Sequence, residues 1–433
     1  MAQASSVQIQ NTAGHFWRWW AGARTSFSWM MAIAFVLRLG FILIGHTYKF
    51  KVYDHDFSFG WEMGRIGRAI ATGRGFADPF DGHTGPTAWE CPLYPYLIGA
   101  VFRLTGVYTH ASAIILLAIN SIFSALTCIP IFLIARRCFS ETVAVRTAWT
   151  WALLPSVMYW STRWVWETSL ATLLLAVIFW LTLKLENLEG IAPWIAFGLL
   201  WGVAALTNVS LLSFLPVSGL WAWGRRSKKG SRSMAGVALA SLFFAASIAP
   251  WLVRNYLTFG KPIFIRSNLG AELRLGNGPD ADGTWMSWVH PSQNVVEFRR
   301  YQQLGELPYV ATRKREAMDF IRADYGRFAW ISVKRFIYYW GGLPRSSEIP
   351  ALAPFKNSVF LASSILAVWG LGRALRKRRP GASLFLCLIL SYPLVYYFIF
   401  PHPRYRHPIE PELGILIIYL ISEAEIRRTR QPA

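Results

Sequence analysis

Charge is scarce in this chain: Asp, Glu, Lys and Arg make up 15% of its 433 residues, where a soluble domain carries about a quarter. With 54% hydrophobic residues and 22 tryptophans, such a composition excludes an ordinary water-soluble fold and calls for a nonpolar solvent. Cysteine is nearly absent. Cys91, Cys128, Cys138 and Cys387 form no CxxC pair, and three of them lie in or beside apolar segments, which excludes a disulfide framework and a zinc site. Low-complexity runs and repeats are missing, and no ten-residue alternating pattern marks a membrane barrel. A bilayer forbids open sheet edges, so the spans are helices. Acidic residues are the rarer sign, 23 against 44 basic, for a formal net charge of +21. The basic residues cluster beside apolar stretches, which points to topology and lipid headgroups and away from nucleic acid.

Windows of roughly 20 apolar residues recur, the length that crosses a hydrocarbon core. The first, Trp29 to Ile44, follows a Trp/Arg-rich leader (His15 to Arg24) without a small-residue cleavage site, and reads as a retained span. Further spans are expected at about Ser112–Ala135, Val143–Trp160, Thr168–Leu185, a hairpin pair within Trp194–Trp223, Met234–Trp251, Phe355–Leu371, Ser383–Phe400 and Ile409–Ile421. The fold class is therefore all-α, a polytopic bundle of about ten spans forming one membrane domain over 1–433. Arg18 and Arg24, Arg136-Arg137, the cluster Arg225, Arg226, Lys228 and Lys229, the run Arg373 to Arg379, and Arg427, Arg428 and Arg430 all fall on one side with this count. By the positive-inside rule that side is cytoplasmic, with both termini inside. Two long loops then face outward, 47–108 and 252–340. Within the first, Pro92–Leu104 is apolar but short and reads as an interfacial helix, a true span being the alternative.

The outward face gathers the polar chemistry. The first loop carries Asp54-His55-Asp56, Glu62, Arg65, Asp78, Asp81 and Glu90; the second carries Arg254, Arg266, Asn268, Glu272, Arg274 and Asn277. Asp78 and Asp81 sit in turn dipeptides. Asp54, Asp56 and Glu62 instead follow the first span closely and precede a helix-like stretch, Gly60–Thr72, within reach of a lipid headgroup. Glu167, where the fourth span enters the membrane, is a site candidate unless it pairs with Arg163, four residues earlier. Between the last two spans lies His402-Pro403-Arg404-Tyr405-Arg406-His407-Pro408. Two arginines pinned between prolines on the side where basic residues are least expected point to a bound anion, since a guanidinium fork matches phosphate. In an extended segment residues two apart share a side, so Arg404 and Arg406 are expected to grip one phosphate. Arg254 and Arg266 could join them.

The order of these motifs resembles a family. An acidic motif follows the first span, then Gly-Arg-Gly-Phe (73–76) and Pro-Leu-Tyr-Pro-Tyr (92–96), an Asn-bearing second span, Trp-Glu-Thr opening the fourth, and Arg-Tyr-Arg-His-Pro before the last. Together they resemble the polyprenyl-phosphate-sugar-dependent, C-type membrane glycosyltransferases, similar to protein O-mannosyltransferases and lipid A aminoarabinose transferases. The stretch Arg254 to Asn277 looks like a bacterial branch, which implies a bacterial inner-membrane protein. The resemblance implies a polyprenyl-phosphate sugar donor and an extracytoplasmic acceptor of unspecified kind. It also implies a first-loop carboxylate as general base (Asp56, Glu62 or Asp54, in that order) and basic residues holding the leaving phosphate. Arg404, Arg406, Tyr405, Glu167, Arg163, Arg254, Arg266 and Asn268 are the expected substrate-binding residues. Where relatives carry an adjacent Asp-Glu pair, this chain has Asp54-His55-Asp56, so the base stays open among the three. No particular cofactor is indicated; Asp54, His55, Asp56 and Glu167 could hold a divalent cation, but no spacing demands a metal. A transporter or flippase of lipid-linked saccharide is the alternative. It would need polar residues through the middle of several spans, and spans three, four, seven, eight and nine show almost none.

Overall fold

The computed structural model describes residues 25–51, 55–227, 234–344 and 352–430; of 55, 56, 227 and 426–430 it describes the backbone alone. Asp54, Arg18, Arg24, Lys228 and Lys229 lie outside the described residues, as do the side chains of Asp56, Arg427, Arg428 and Arg430. Among the described residues there is no β-strand, just an isolated bridge between Ala77 and Pro86. The all-α expectation holds at this level.

Among the described residues five helices are long and apolar enough to cross a membrane: Phe27–Ile44, His110–Cys138, Thr168–Leu185, Met234–Phe259 and Ala353–Arg376. Several crossings mark the chain as a multi-pass membrane protein. Of the other expected spans, Val143–Trp160 and Ser383–Phe400 are broken at prolines, the Trp194–Trp223 pair forms shorter helices, and Ile409–Ile421 lies in the 21-residue, charge-bearing helix Glu410–Arg430. We label the elements α1 (Phe27–Ile44), α2 (Glu62–Ala71), α3 (Leu93–Thr105), α4 (His110–Leu126), α5 (Cys128–Cys138), α6 (Glu141–Leu153), α7 (Pro155–Arg163), α8 (Thr168–Leu185), α9 (Ala192–Thr207), α10 (Leu215–Ser227) and α11 (Met234–Phe259). The second loop forms α12 (Leu269–Gly276), α13 (Val295–Leu304), α14 (Glu306–Ala323) and α15 (Tyr325–Gly341), and the chain ends in α16 (Ala353–Arg376), α17 (Ala382–Ser391), α18 (Leu394–Phe398) and α19 (Glu410–Arg430). Pro130 lacks an N–H and crowds the carbonyl four residues back, so the helix breaks at Thr127. Pro155 drives Leu154 to ψ 119°, separating α6 from α7. Pro393 separates α17 from α18.

A broken helix in an apolar interior leaves orphan carbonyls. Arg38, fully buried in α1, serves the break after α6: its guanidinium donates to Trp151 O (3.1 Å) and Ala152 O (3.0 Å), and to Ser124 Oγ on α4 (3.1 Å). Close helix contact is arranged by Gly198 on α9, where a side-chain carbon would collide with the backbone of Ala240 on α11. Two contacts fix the course of the hairpin pair. Asn208, after α9, donates to Glu167 at the start of α8 (3.0 Å), while Arg226, near the end of α10, donates to Leu188 O beyond the end of α8. So α9 and α10 run between the two ends of α8 in opposite directions.

The main apolar core joins α1 and α4–α10 to α16, α17 and α19. The first and second loops form a cap, and one carboxylate stitches them together. Glu306 accepts from Thr87 Oγ1 and Ala88 N–H (2.8 Å) of the first loop, and from Ser267 Oγ (2.7 Å) and Tyr301 OH (3.0 Å) of the second. Arg335 on α15 donates to Phe398 O (2.8 Å) and to Gly276 O, so the end of α12 lies directly on the turn that follows α18.

Candidate functional site

A cavity of about 580 Å³ lies beneath this cap, within the range of small-molecule sites. Six stretches far apart in sequence converge on it: Phe57–Met63, Trp89-Glu90, Trp164–Glu167, Asn208–Ser213, Phe264–His290 and Val395–Tyr405. Glu62, Glu167, Arg266, Asn268, Arg404 and Tyr405, all singled out in the sequence, line it together.

The acidic wall begins at α2. Its preceding residue, Trp61, has φ +46°, a strained conformation for a non-glycine residue, and stacks on the His290 ring (5.8 Å, 19°). Glu62, the first residue of the helix, accepts from Ser292 Oγ at 3.2 Å, with His290 Nε2 3.4 Å away. Burial holds its carboxyl above the usual range, against the pull of Arg65. Glu90 meets Arg266 Nη2 at 3.0 Å, and Arg266 Nε donates to Trp89 O at 2.9 Å. Burial pushes Glu90 up to about 8; Arg266 opposes the shift, and Glu62, Glu167 and Glu272 add to it. Asn268 Nδ2 donates to Glu272 Oε1 at 2.8 Å, and burial raises that carboxyl too. Glu167 Oε1 accepts from Asn208; its Oε2 is buried with no hydrogen-bond partner in the structure. Arg163 does not pair with Glu167. It is exposed beside the Tyr159 ring (5.7 Å) and does not line the cavity.

The basic wall corrects the expected arginine turn. Residues Pro403–Arg406 are a helical turn, not an extended segment: Pro403 at its first position fixes a helical φ, and His402 Nδ1 caps it by accepting from Arg404 N–H at 3.2 Å. Residues two apart on a helical turn point to different sides. Arg404 faces the cavity, its guanidinium 3.5 Å from the Trp166 ring centre, with Nε unpartnered. Arg406 turns away, 3% exposed, donating to Ser363 Oγ (2.6 Å), Ser364 Oγ (2.8 Å) and Phe360 O (3.1 Å) on α16. The two arginines therefore do not face one ligand. Arg254 is likewise outside the cavity; it donates to Thr87 O (2.6 Å) and Phe76 O (2.8 Å) and anchors the first loop. Tyr405 stacks on Tyr396 (4.7 Å, 14°). His402 is half-buried; desolvation, with Arg404 and Lys356 nearby, draws it down to about 3, so it is neutral.

Sequence reading left Glu90, Glu272, His290 and Asn208 out of the site. Glu90 and Glu272 were visible as loop carboxylates, and the Trp-Glu before the Pro-Leu-Tyr-Pro motif was the available signal for Glu90. Nothing in the sequence marks His290 or Asn208. Among the described residues no group of three or more His, Cys, Asp or Glu is arranged to hold a metal ion; the side chains of Asp54, His55 and Asp56 lie outside them.

The architecture is that of a multi-pass helical membrane protein with a largely apolar cavity, carrying several charged side chains, under a cap formed by its two long loops. Residues 87–253 match the family model of dolichyl-phosphate-mannose-protein mannosyltransferase. That stretch runs from the cap through α11 and includes Glu90, Glu167 and Asn208. No curated protein matches the chain significantly in sequence. Among solved structures, the oligosaccharyltransferase of Archaeoglobus fulgidus, in a complex with zinc and sulfate, is similar in fold at a TM-score of 0.54 and 13% identity, over 92% of this chain and 49% of that one. The same enzyme with an inhibitory peptide and a dolichol-phosphate gives 0.50 at 12% identity, over 93% and 51%. ArnT from Cupriavidus metallidurans bound to undecaprenyl phosphate is matched at 0.37 and 12% identity, over 93% and 77%. The chain spans about half the length of the oligosaccharyltransferase structures. The resemblance read from the motifs is thus carried by both a family match and a fold match.

Proposed function

We propose that this chain is a membrane glycosyltransferase that moves a sugar from a polyprenyl-phosphate donor to an extracytoplasmic acceptor. The observation that carries this reading is the convergence of Glu62 and Arg404, more than 300 residues apart, on one cavity that both a carboxyl and a guanidinium therefore line. The cavity also has an apolar margin. Phe264 and Leu269 line it and are 55% and 63% exposed, as a surface beside an isoprenoid chain requires.

In this reading the donor phosphate lies against Arg404, with Tyr405 and Asn268 beside it. A first-loop carboxylate (Asp56, Glu62 or Asp54) takes the proton of the acceptor hydroxyl as its oxygen attacks the anomeric carbon. The bond from that carbon to the phosphate oxygen breaks, and the electron pair leaves with polyprenyl phosphate, whose charge Arg404 meets. Raised basicity suits Glu62 to the proton transfer. Arg406 and Arg254 act at a distance, holding the turn and the first loop in place. The membrane topology that fits is ten crossings with both termini cytoplasmic in a bacterial inner membrane; the opposite courses of α9 and α10 support it.

Purified protein supplied with radiolabelled polyprenyl-phosphate sugar and a membrane extract should pass label to an acceptor. Asp56→Asn or Glu62→Gln should abolish transfer while donor binding persists. Wild-type turnover in both variants and in Asp54→Asn would remove the first-loop base. Movement of intact donor lipid across vesicles without cleavage would select the flippase alternative.

A further inference from the structure

The second loop reaches back to a first-loop carboxylate. Ser292 Oγ donates to Glu62 Oε1 (3.2 Å), and His290 Nε2 stands 3.4 Å from the same oxygen. The histidine tautomer is set by the backbone: Ser292 N–H donates to His290 Nδ1 at 3.1 Å, so a neutral ring carries its proton on Nε2, toward Glu62. The ring is 5% exposed, sandwiched by Trp61 and the edge of Phe80, and burial draws its pKa down to about 4, so it is neutral at pH 7. The hydroxyl is oriented as well. Arg65 Nη1 donates to Ser292 Oγ at 3.1 Å, and Arg65 is itself held by Asp81 at 3.0 Å. With its lone pair so engaged, Ser292 turns its own proton to Glu62. One hydroxyl donor and one neighbouring imidazole nitrogen from a short segment thus meet at one oxygen of a carboxylate that opens a helix on the opposite loop.

We propose that Ser292 and His290 are positioning residues for Glu62, holding one carboxylate oxygen so that the other meets the acceptor hydroxyl. The proposal rests on the reading of this cavity as a glycosyl-transfer site. It assigns the second loop a catalytic duty that the family-matched region, residues 87–253, does not contain. The charged groups around Glu62 are Arg65 on its own helix, His290 and Arg266 from the second loop, and the carboxyls Glu90 and Glu272. Donors to a carboxylate favour its ionised form. Their loss must therefore raise the Glu62 titration midpoint.

The test uses the full chain in detergent. The protonated carboxyl band of Glu62 is assigned in the infrared by its disappearance in Glu62→Gln, then titrated. Ser292→Ala should move the midpoint up by about half to one pH unit, a three- to tenfold change in proton affinity. His290→Phe, which keeps the stack on Trp61 and the exclusion of water, should shift it the same way, and His290→Gln, which keeps a donor, should shift it less. Midpoints unchanged in both Ser292→Ala and His290→Phe overturn the proposal. Binding of polyprenyl phosphate at wild-type affinity serves as the check on folding. In the transfer assay the acid limb of the rate profile should rise by the same amount, with donor KM within about twofold of wild type; a limb that stays in place while the midpoint moves overturns the catalytic role. Absence of transfer by the wild-type protein would remove the glycosyltransferase reading, and the infrared titration would still decide whether the second loop sets the state of Glu62.

Discussion

Substituting Arg404 and Arg406 separately should give opposite phenotypes, although they are two residues apart in an Arg-Tyr-Arg turn. The Arg404 guanidinium sits over Trp166, 3.5 Å from the ring centre, and lines the cavity, with Nε free of hydrogen-bond partners. A charge-assisted hydrogen bond to phosphate is worth about 1.5–3 kcal/mol. Arg404→Ala should therefore weaken polyprenyl-phosphate binding by roughly ten- to 150-fold, at about 1.4 kcal/mol per factor of ten. Arg404→Lys should recover part of that, because the ammonium keeps the charge and loses the fork and the stack. Arg406 makes three hydrogen bonds to α16 and is 3% exposed. Arg406→Ala removes donors from buried acceptors and should lower stability by about 1–3 kcal/mol, with binding per folded molecule unchanged. Equilibrium binding of radiolabelled polyprenyl phosphate to detergent-purified variants, alongside thermal unfolding, separates the two. Wild-type affinity in Arg404→Ala, or lost affinity with an unchanged Tm in Arg406→Ala, refutes the assignment.

Three further outcomes follow from buried polar groups. Glu90 has a folded pKa of about 8, above its ordinary 4.5, so its contribution to stability is complete below pH 4.5 and is lost as pH rises through 8; the Tm of Glu90→Gln, measured from pH 5 to 9, should fall less steeply than that of wild type. Glu306→Ala strands four donors on two loops and should cost at least about 3 kcal/mol at the usual penalty for unsatisfied groups; proteolysis should then open the cap before the bundle, and a wild-type digestion pattern would count against the stitch. Arg38→Leu leaves the carbonyls of Trp151 and Ala152 without their donor, and the yield of folded protein in detergent should drop severalfold; an undiminished yield would show that the break after α6 is satisfied by other means.

The sequence disclosed the bundle better than the site because hydropathy is a local property and convergence is not. Phe27–Ile44, Thr168–Leu185 and Met234–Phe259 stand out as long, predominantly apolar runs, and each is a long helix. The stretch expected at Val143–Trp160 is two helices, since Pro155 forces its neighbour out of the helical region, and run length alone does not report that break. Glu62, Glu167 and Arg404 were legible as charges close to span ends, where burying them needs a reason. The arginine turn was misread because three prolines suggest an extended path, whereas Pro403 initiates a helical turn capped by His402. His290 was invisible: it belongs to the site through Trp61 and Ser292, contacts that no spacing in the sequence encodes.

The central claim is that donor cleavage and sugar transfer happen together in this one cavity. The most direct measurement follows both products in a single reaction of purified protein with doubly labelled polyprenyl-phosphate sugar and a membrane extract. One polyprenyl phosphate should be released for each sugar that appears on an acceptor, with both signals lost in the triple variant Asp54→Asn/Asp56→Asn/Glu62→Gln and slowed together in Arg404→Ala. Donor lipid recovered intact after incubation with folded, donor-binding protein, in extracts from several bacterial envelopes, would contradict it.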